Sequence, residues 1–244
     1  MELSGRNALV TGAAVRVGRA IALALAGEGM RVVVHHHSSE EEARELVRAI
    51  GQDGGEAMAI RADLARFAEI ERLAHEAEAA FGGIDVLVNN ASVFPEARLE
   101  ETDEALWERT LAVNLKAPFF LTQKLAPGMR ARGGGAIVNL ADLAGLQTWS
   151  SYAAHGIAKA GLVQLTRVAA RSLAPEIRVA AIAPGTVLPP EDLPEEEVER
   201  LARLAPLRRI GSPDDVALAL LYLLRADFVT GEVLVVDGGR MLKS

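Results

Sequence analysis

Cysteine is absent from all 244 residues, which excludes disulfides, thiolate metal sites and a thiol nucleophile together. Lysine is nearly absent too, occurring only as Lys116, Lys124, Lys159 and Lys243. No apolar run reaches the roughly 20 residues that a bilayer crossing needs; the longest clear one is Val216 to Leu224. The opening Met1-Glu2-Leu3-Ser4-Gly5 lacks the basic segment and apolar stretch of a signal peptide. The expectation is a soluble, cytoplasmic protein with no membrane partner. A formal charge of -7 supplies no basic face for nucleic acid, so a small-molecule partner is expected.

Half of the residues are apolar, enough for one well-buried core and a single domain over residues 1–244. Short β-branched runs recur at Asn7 to Val10, Arg31 to Val34, Ala57 to Arg61, Asp85 to Val88, Ala136 to Leu140, Arg178 to Ile182 and Val233 to Val236. Between them lie segments of helical spacing such as Val17 to Gly27, Glu40 to Ile50 and Phe67 to Phe81. Alternation of this kind predicts an α/β fold with a doubly wound, mainly seven-stranded parallel sheet. Ser39 with Glu42 and Asp192 with Glu195 have capping-box spacing, and Pro213 after Ser212 suits a first helical position. The acidic, proline-rich stretch from Gly185 to Pro194 predicts a substrate loop, spanning about 185–210.

Thr11-Gly12-Ala13-Ala14-Val15-Arg16-Val17-Gly18 follows the first strand and opens a helix. In that context Gly12 and Gly18 bring backbone amides and a helix N-terminus against a pyrophosphate. Ordered along the rest of the chain are Asp63-Leu64, Asn89-Asn90-Ala91, Asn114, Ala158-Lys159-Ala160-Gly161, Pro184-Gly185 and Val236-Asp237-Gly238-Gly239. With the glycine turn, this series resembles the short-chain dehydrogenase/reductase family over essentially the whole length. The resemblance implies a Rossmann fold, with Asp63 near the adenine, Asn90 near the ribose, Pro184, Gly185 and Thr186 near the nicotinamide, and Leu64, Ala91 and Ser92 also binding the cofactor. It also implies that Lys159 holds ribose hydroxyls, that Asn114 supports the helix geometry beside it, and that the protein is a homotetramer. The small apolar stripe Ala158, Leu162, Leu165 and Ala169 would permit such assembly.

Departures from the family pattern carry further information. Arg16 stands where the family has its middle glycine, and His35-His36-His37-Ser38-Ser39 stands where NAD-dependent members place an acidic residue. Without a carboxylate there, Arg16, His37 and Ser39 offer donors to a 2′-phosphate, with Val17 and His36 beside them, and NADPH (NADP) is the expected cofactor. A metal site at the three histidines is not expected, because consecutive strand residues alternate faces. Counting back from Lys159, the family's tyrosine position holds His155 and its serine position holds Asp142. A carboxylate about 4 Å from a carbonyl oxygen opposes the charge of ketone reduction by roughly 4 kcal/mol at an effective dielectric of 20. Hydride addition to C=N is helped instead, since nitrogen must gain a proton.

This combination resembles the pteridine reductase branch, which has the arginine-substituted turn, the aspartate and an Asn-Asn-Ala-Ser-x-Phe segment matched by Asn89 to Phe94. The resemblance implies that Phe94 stacks on a planar pterin and that Ser92 hydrogen-bonds it. The branch normally keeps its tyrosine, so His155 is a departure; imidazole can donate a proton near neutrality. The expected activity is NADPH-dependent reduction of a dihydropterin or folate-like C=N bond, with Asp142, His155, Lys159 and Asn114 as catalytic residues. Two alternatives stand beside it: a 3-oxoacyl thioester or other carbonyl reductase, and a catalytically silent NADPH-binding protein.

Overall fold

The computed structural model describes residues 1–189 and 193–242. Its seven strands are β1 (Asn7–Val10), β2 (Arg31–His36), β3 (Ala57–Arg61), β4 (Val86–Asn89), β5 (Gly135–Leu140), β6 (Ile177–Pro184) and β7 (Val233–Val236). They form one parallel sheet in the order β3-β2-β1-β4-β5-β6-β7. The helices are α1 (Arg16–Gly27), α2 (Glu40–Gln52), α3 (Phe67–Phe81), α4 (Glu104–Leu111), α5 (Ala117–Ala131), α6 (Ala153–Leu173), α7 (Glu195–Leu204) and α8 (Pro213–Arg225). Between α4 and α5 one turn, Ala112–Lys116, is π-helical. The expected doubly wound sheet is the one observed.

Strand side chains alternate between two cores, one on each face. Ala8, Val10, Val32, Val34, Val86 and Val88 pack with α1, α2 and α8, while Leu9, Val33 and Leu87 pack with α3 and α5. Because both faces are covered, every strand position can be apolar, and the strands read as unbroken runs instead of alternating ones. Among the described residues no helix is long and apolar enough to cross a membrane.

Several local expectations need correction. Ser212 and Asp215 form the capping box of α8, with Pro213 at its first position, as the spacing predicts. Ser39 does occupy the N-cap of α2 but makes no side-chain cap bond; its φ of -87° and ψ of 63° are not the extended conformation that aims a cap hydroxyl at the helix. Helix α7 starts after Pro194 as N-cap, and Asp192 lies outside the described residues. The 185–210 segment is therefore only partly a loop, since α7 occupies its centre. The stripe proposed for assembly is also internal: Ala158, Leu162 and Ala169 are buried within the chain. Positions 158, 162, 165 and 169 follow the helical repeat that faces the sheet, and the outward apolar residues of α6 are Ile157 and Val168.

Candidate active site

Successive strands run outward in opposite directions from the β1–β4 pair, and ligands of such sheets bind at this switch point. Here a cleft of about 430 Å³ opens, lined by Gly12, Arg16, Val17, Gly18, His36, His37, Ser39, Asp63, Leu64, Asn90, Ala91 and Ser92. These are all the residues expected to hold the cofactor except Lys159, Pro184, Gly185 and Thr186. The turn into α1 keeps left-handed backbone at both Gly12 (φ 60°) and Arg16 (φ 54°). Arginine thus holds a conformation that favours glycine. Its exposed guanidinium donates to the Leu188 carbonyl at 2.7 Å, tying the turn to the loop after β6.

The cleft fits an anionic dinucleotide on two observations. The N-cap of α1, Val15, supplies no side-chain bond and the first turn holds no acid, so amides at a helix N-terminus face the cleft without a partner. His36, which lines the same cleft, has a buried Nδ1 with no hydrogen-bond partner.

The three histidines diverge. His35 is buried: its Nδ1 accepts from the Gly12 amide at 3.0 Å and its Nε2 donates to the Ala62 carbonyl at 3.1 Å. These partners demand the neutral imidazole, and burial lowers its pKa from 6.5 to about 4. In the unfolded chain the group takes its proton near 6.5, so its stabilising effect is complete above that pH and is lost as pH falls toward 4. Urea unfolding at pH 7, 6 and 5 should show wild type losing roughly 2 kcal/mol more than His35→Gln over the whole range, the larger part of it between pH 6 and 5. Parallel slopes would remove this role.

His37 is exposed, and its Nε2 lies 4.0 Å from Asp63 Oδ2. That corrects the expectation that no carboxylate stands in this corner: β3 ends beside β2, so the Asp63 that follows β3 reaches the segment that follows β2. Arg66 is also 4.0 Å from the same oxygen, giving the carboxylate two cationic neighbours when His37 is protonated.

The catalytic candidates converge at the carboxyl end of β5. Asp142 caps the short turn Leu143–Gly145, its Oδ1 accepting from the Ala144 amide at 2.7 Å. The other oxygen, Oδ2, lies 3.8 Å from His155 Nε2. His155 is buried in α6, and its Nδ1 lies 3.1 Å from the Val93 carbonyl oxygen. Asn114, in the π-helical turn, donates to the same carbonyl at 2.9 Å and accepts from the Val93 amide at 2.8 Å. Asn114 Nδ2 also lies 3.2 Å from His155 Nδ1; that contact asks Nδ1 to accept where the Val93 carbonyl asks it to donate, so the two partners hold the ring in place under either tautomer. Nε2 is left as a buried atom without a hydrogen-bond partner, facing a carboxylate oxygen. A carboxylate oxygen and an imidazole nitrogen at this separation are two groups able to hand a proton to a reacting nitrogen admitted beside them. Asn114 therefore orients His155 directly.

Lys159 is fully buried one turn further along α6, and its Nζ donates to the Leu140 carbonyl at 2.6 Å. Burial lowers its pKa to about 8, against the pull of Asp142, so it is mainly cationic at neutral pH. Phe94 is half exposed, but one face is already covered by Tyr152, whose ring stacks at 4.2 Å and 14°. His155 meets Phe94 edge-on at 4.5 Å. A planar ligand can stack only on the remaining face. Pro184 ends β6, and Gly185 lies so close to the turn after β7 that a Cβ would sit 2.8 Å from Asp237 Cα.

Sequence reasoning missed Arg109, Val93, Trp149 and Arg240. Arg109 and Val113 both line the cleft, and their spacing of four around a helix next to Asn114 was a usable signal. Val93 acts through its backbone, which no residue pattern reveals. Arg240 lies over the Trp149 ring at 5.2 Å and donates to Thr186 Oγ1 at 2.9 Å; nothing in the sequence joins these distant positions.

A parallel sheet of this order with an anion-fitting cleft at its switch point defines a Rossmann-type oxidoreductase scaffold. The family profile described as enoyl-(acyl carrier protein) reductase matches residues 12–240. An uncharacterized oxidoreductase of Thermotoga maritima is 35% identical, covering 98% of each chain. The 3-oxoacyl-[acyl-carrier-protein] reductase FabG of Staphylococcus epidermidis is 36% identical over 96% of this chain and 98% of its own. Among solved structures, FolM alternative dihydrofolate reductase 1 from Brucella canis, complexed with NADP, superposes with a TM-score of 0.94 at 34% identity, covering 100% of this chain and 96% of that one. The chain belongs to the short-chain dehydrogenase/reductase family, whose members are oxidoreductases using a nicotinamide dinucleotide.

Proposed function

We propose that the protein is an NADPH-dependent reductase of a pterin or folate-like C=N bond. The observation that carries the reading is Asp142 at the serine position, with one oxygen fixed by the Ala144 amide and the other 3.8 Å from His155 Nε2. Gly12, Val17, Gly18, Asn90, Ala91 and Ser92 hold the dinucleotide's phosphate and ribose, Asp63 and Leu64 its adenine, and Pro184, Gly185 and Thr186 its nicotinamide. Arg16, His37 and Ser39 donate to the 2′-phosphate, with Arg16 leaving the Leu188 carbonyl for it. The bound cofactor supplies the hydride. Lys159 holds ribose hydroxyls, the Asp142–His155 pair passes a proton to the ring nitrogen, and Phe94 offers its open face and Ser92 a hydrogen bond to the heterocycle. Support also comes from the likeness to the Brucella canis FolM protein.

Favouring a second reading is the likeness to a 3-oxoacyl reductase at 36% identity. Parallel assays of NADPH and NADH oxidation with dihydrobiopterin, dihydrofolate and acetoacetyl thioester separate the two. Turnover of the reduced pterins with NADPH, rising as pH falls, is expected. Turnover of the thioester alone transfers the protein to the second reading, and silence with all three favours a binding role. The homotetramer is also part of the proposal; it rests on the exposed Phe119, Ile157 and Val168 of α5 and α6 and not on the buried stripe.

A further inference from the structure

The rings around Asp142 continue outward. From His155 the contacts run to Phe94 at 4.5 Å, to Tyr152 at 4.2 Å, to Trp149 at 6.2 Å, and finally to the Arg240 guanidinium 5.2 Å above the Trp149 ring. Arg240 thus terminates a run of ring contacts that begins at His155. Its position is built: Asp237 accepts from the Gly239 amide at 2.7 Å and the Met241 amide at 2.7 Å, which folds the turn that presents the arginine. Both carboxylate oxygens are committed to those amides. Arg240 gives one bond to Thr186 Oγ1, and among the described residues no carboxylate pairs with it. Among the described residues most of its five N–H donors have no partner, on a group that is partly buried.

We propose that Arg240 binds a carboxylate carried by the flat substrate, so that the site selects folate-type pterins over neutral ones. The inference rests on the pterin reading above and names its substrate class. A guanidinium stacked on an aromatic ring loses little freedom on binding, and its planar fork matches one carboxylate in bidentate geometry. The order of these contacts would put the reacting ring of such a ligand near Asp142 and its anionic tail beyond Tyr152.

The test compares dihydrofolate, which carries carboxylates, with dihydrobiopterin, which carries none, in wild type, Arg240→Met and Arg240→Lys. In Arg240→Met the ratio of kcat/KM for dihydrofolate to that for dihydrobiopterin should fall about tenfold, the value of one charge-assisted hydrogen bond. Most of the fall should lie in KM, and Arg240→Lys should recover part of it. An unchanged ratio overturns the proposal, even if both substrates suffer. A readout independent of turnover uses p-aminobenzoylglutamate, which has the carboxylates and no pterin. In a Trp107→Phe background, it should quench Trp149 fluorescence with an affinity about tenfold weaker in Arg240→Met. Equal affinity in both proteins overturns the assignment. If neither pterin is reduced, the functional reading falls while this titration still decides Arg240.

Discussion

Asp142→Asn should lower kcat for a reduced pterin about a thousandfold, within the roughly 10²–10⁴ that a positioned proton donor contributes. The fold should survive, because the cap on the Leu143–Gly145 turn needs only an acceptor at Oδ1, and the asparagine carbonyl supplies one. NADPH affinity should stay within about twofold, since Asp142 is not among the residues assigned to the dinucleotide. What disappears is the ionisable oxygen facing His155 Nε2. Carbonyl turnover should move the opposite way: removing a charge worth roughly 4 kcal/mol of repulsion at about 4 Å favours a developing oxyanion. Stopped-flow single-turnover measurements with the two substrate types read both signs. Full pterin turnover in the variant would take Asp142 out of the mechanism.

Gly18→Ala should be the most damaging small substitution in the turn. A Cβ there would meet the Gly12 carbonyl oxygen at 2.1 Å, Asn90 Nδ2 at 2.6 Å and Ala13 Cα at 2.9 Å. Two of these atoms are backbone, and Asn90 Nδ2 is itself held by the Thr11 and Gly12 carbonyls at 2.8 and 2.9 Å. Nothing flexible can yield, so the turn must open, at a cost of about 1–3 kcal/mol and with loss of dinucleotide binding. Gly51→Ala is the control. It lies in α2 with nothing within 4 Å of its added carbon, and alanine there should stabilise by up to about 1 kcal/mol. Thermal melting and cofactor titration of the pair check the opposed signs; equal melting temperatures would refute the steric account.

Both substitutions fall on residues that could be found without coordinates, and the reason is physical. Strand-helix alternation reports burial on two faces of a sheet, and counting back from Lys159 works because Asp142 and His155 hold fixed places relative to one helix. Side-chain direction was less accessible. Ser39 sits at a cap without capping, because that depends on its dihedral angles. His37 faces Asp63 only because β2 and β3 are neighbours, and Phe94 loses one face to Tyr152 across a long sequence separation. The stripe from Ala158 to Ala169 had the right period, but a period alone does not say whether the sheet or the exterior covers it. Arg240 reached the site through a contact no local pattern encodes.

The left-handed backbone at Arg16 changes what should count as an intact motif. A search that tallies glycines scores this turn as degraded, whereas one that asks which positions have positive φ scores it as whole. In a Gly-substituted version the same path would be traced by a residue with no side chain to tether the loop after β6. Arg16 therefore combines a backbone shape that suits glycine with a side chain that reaches the Leu188 carbonyl.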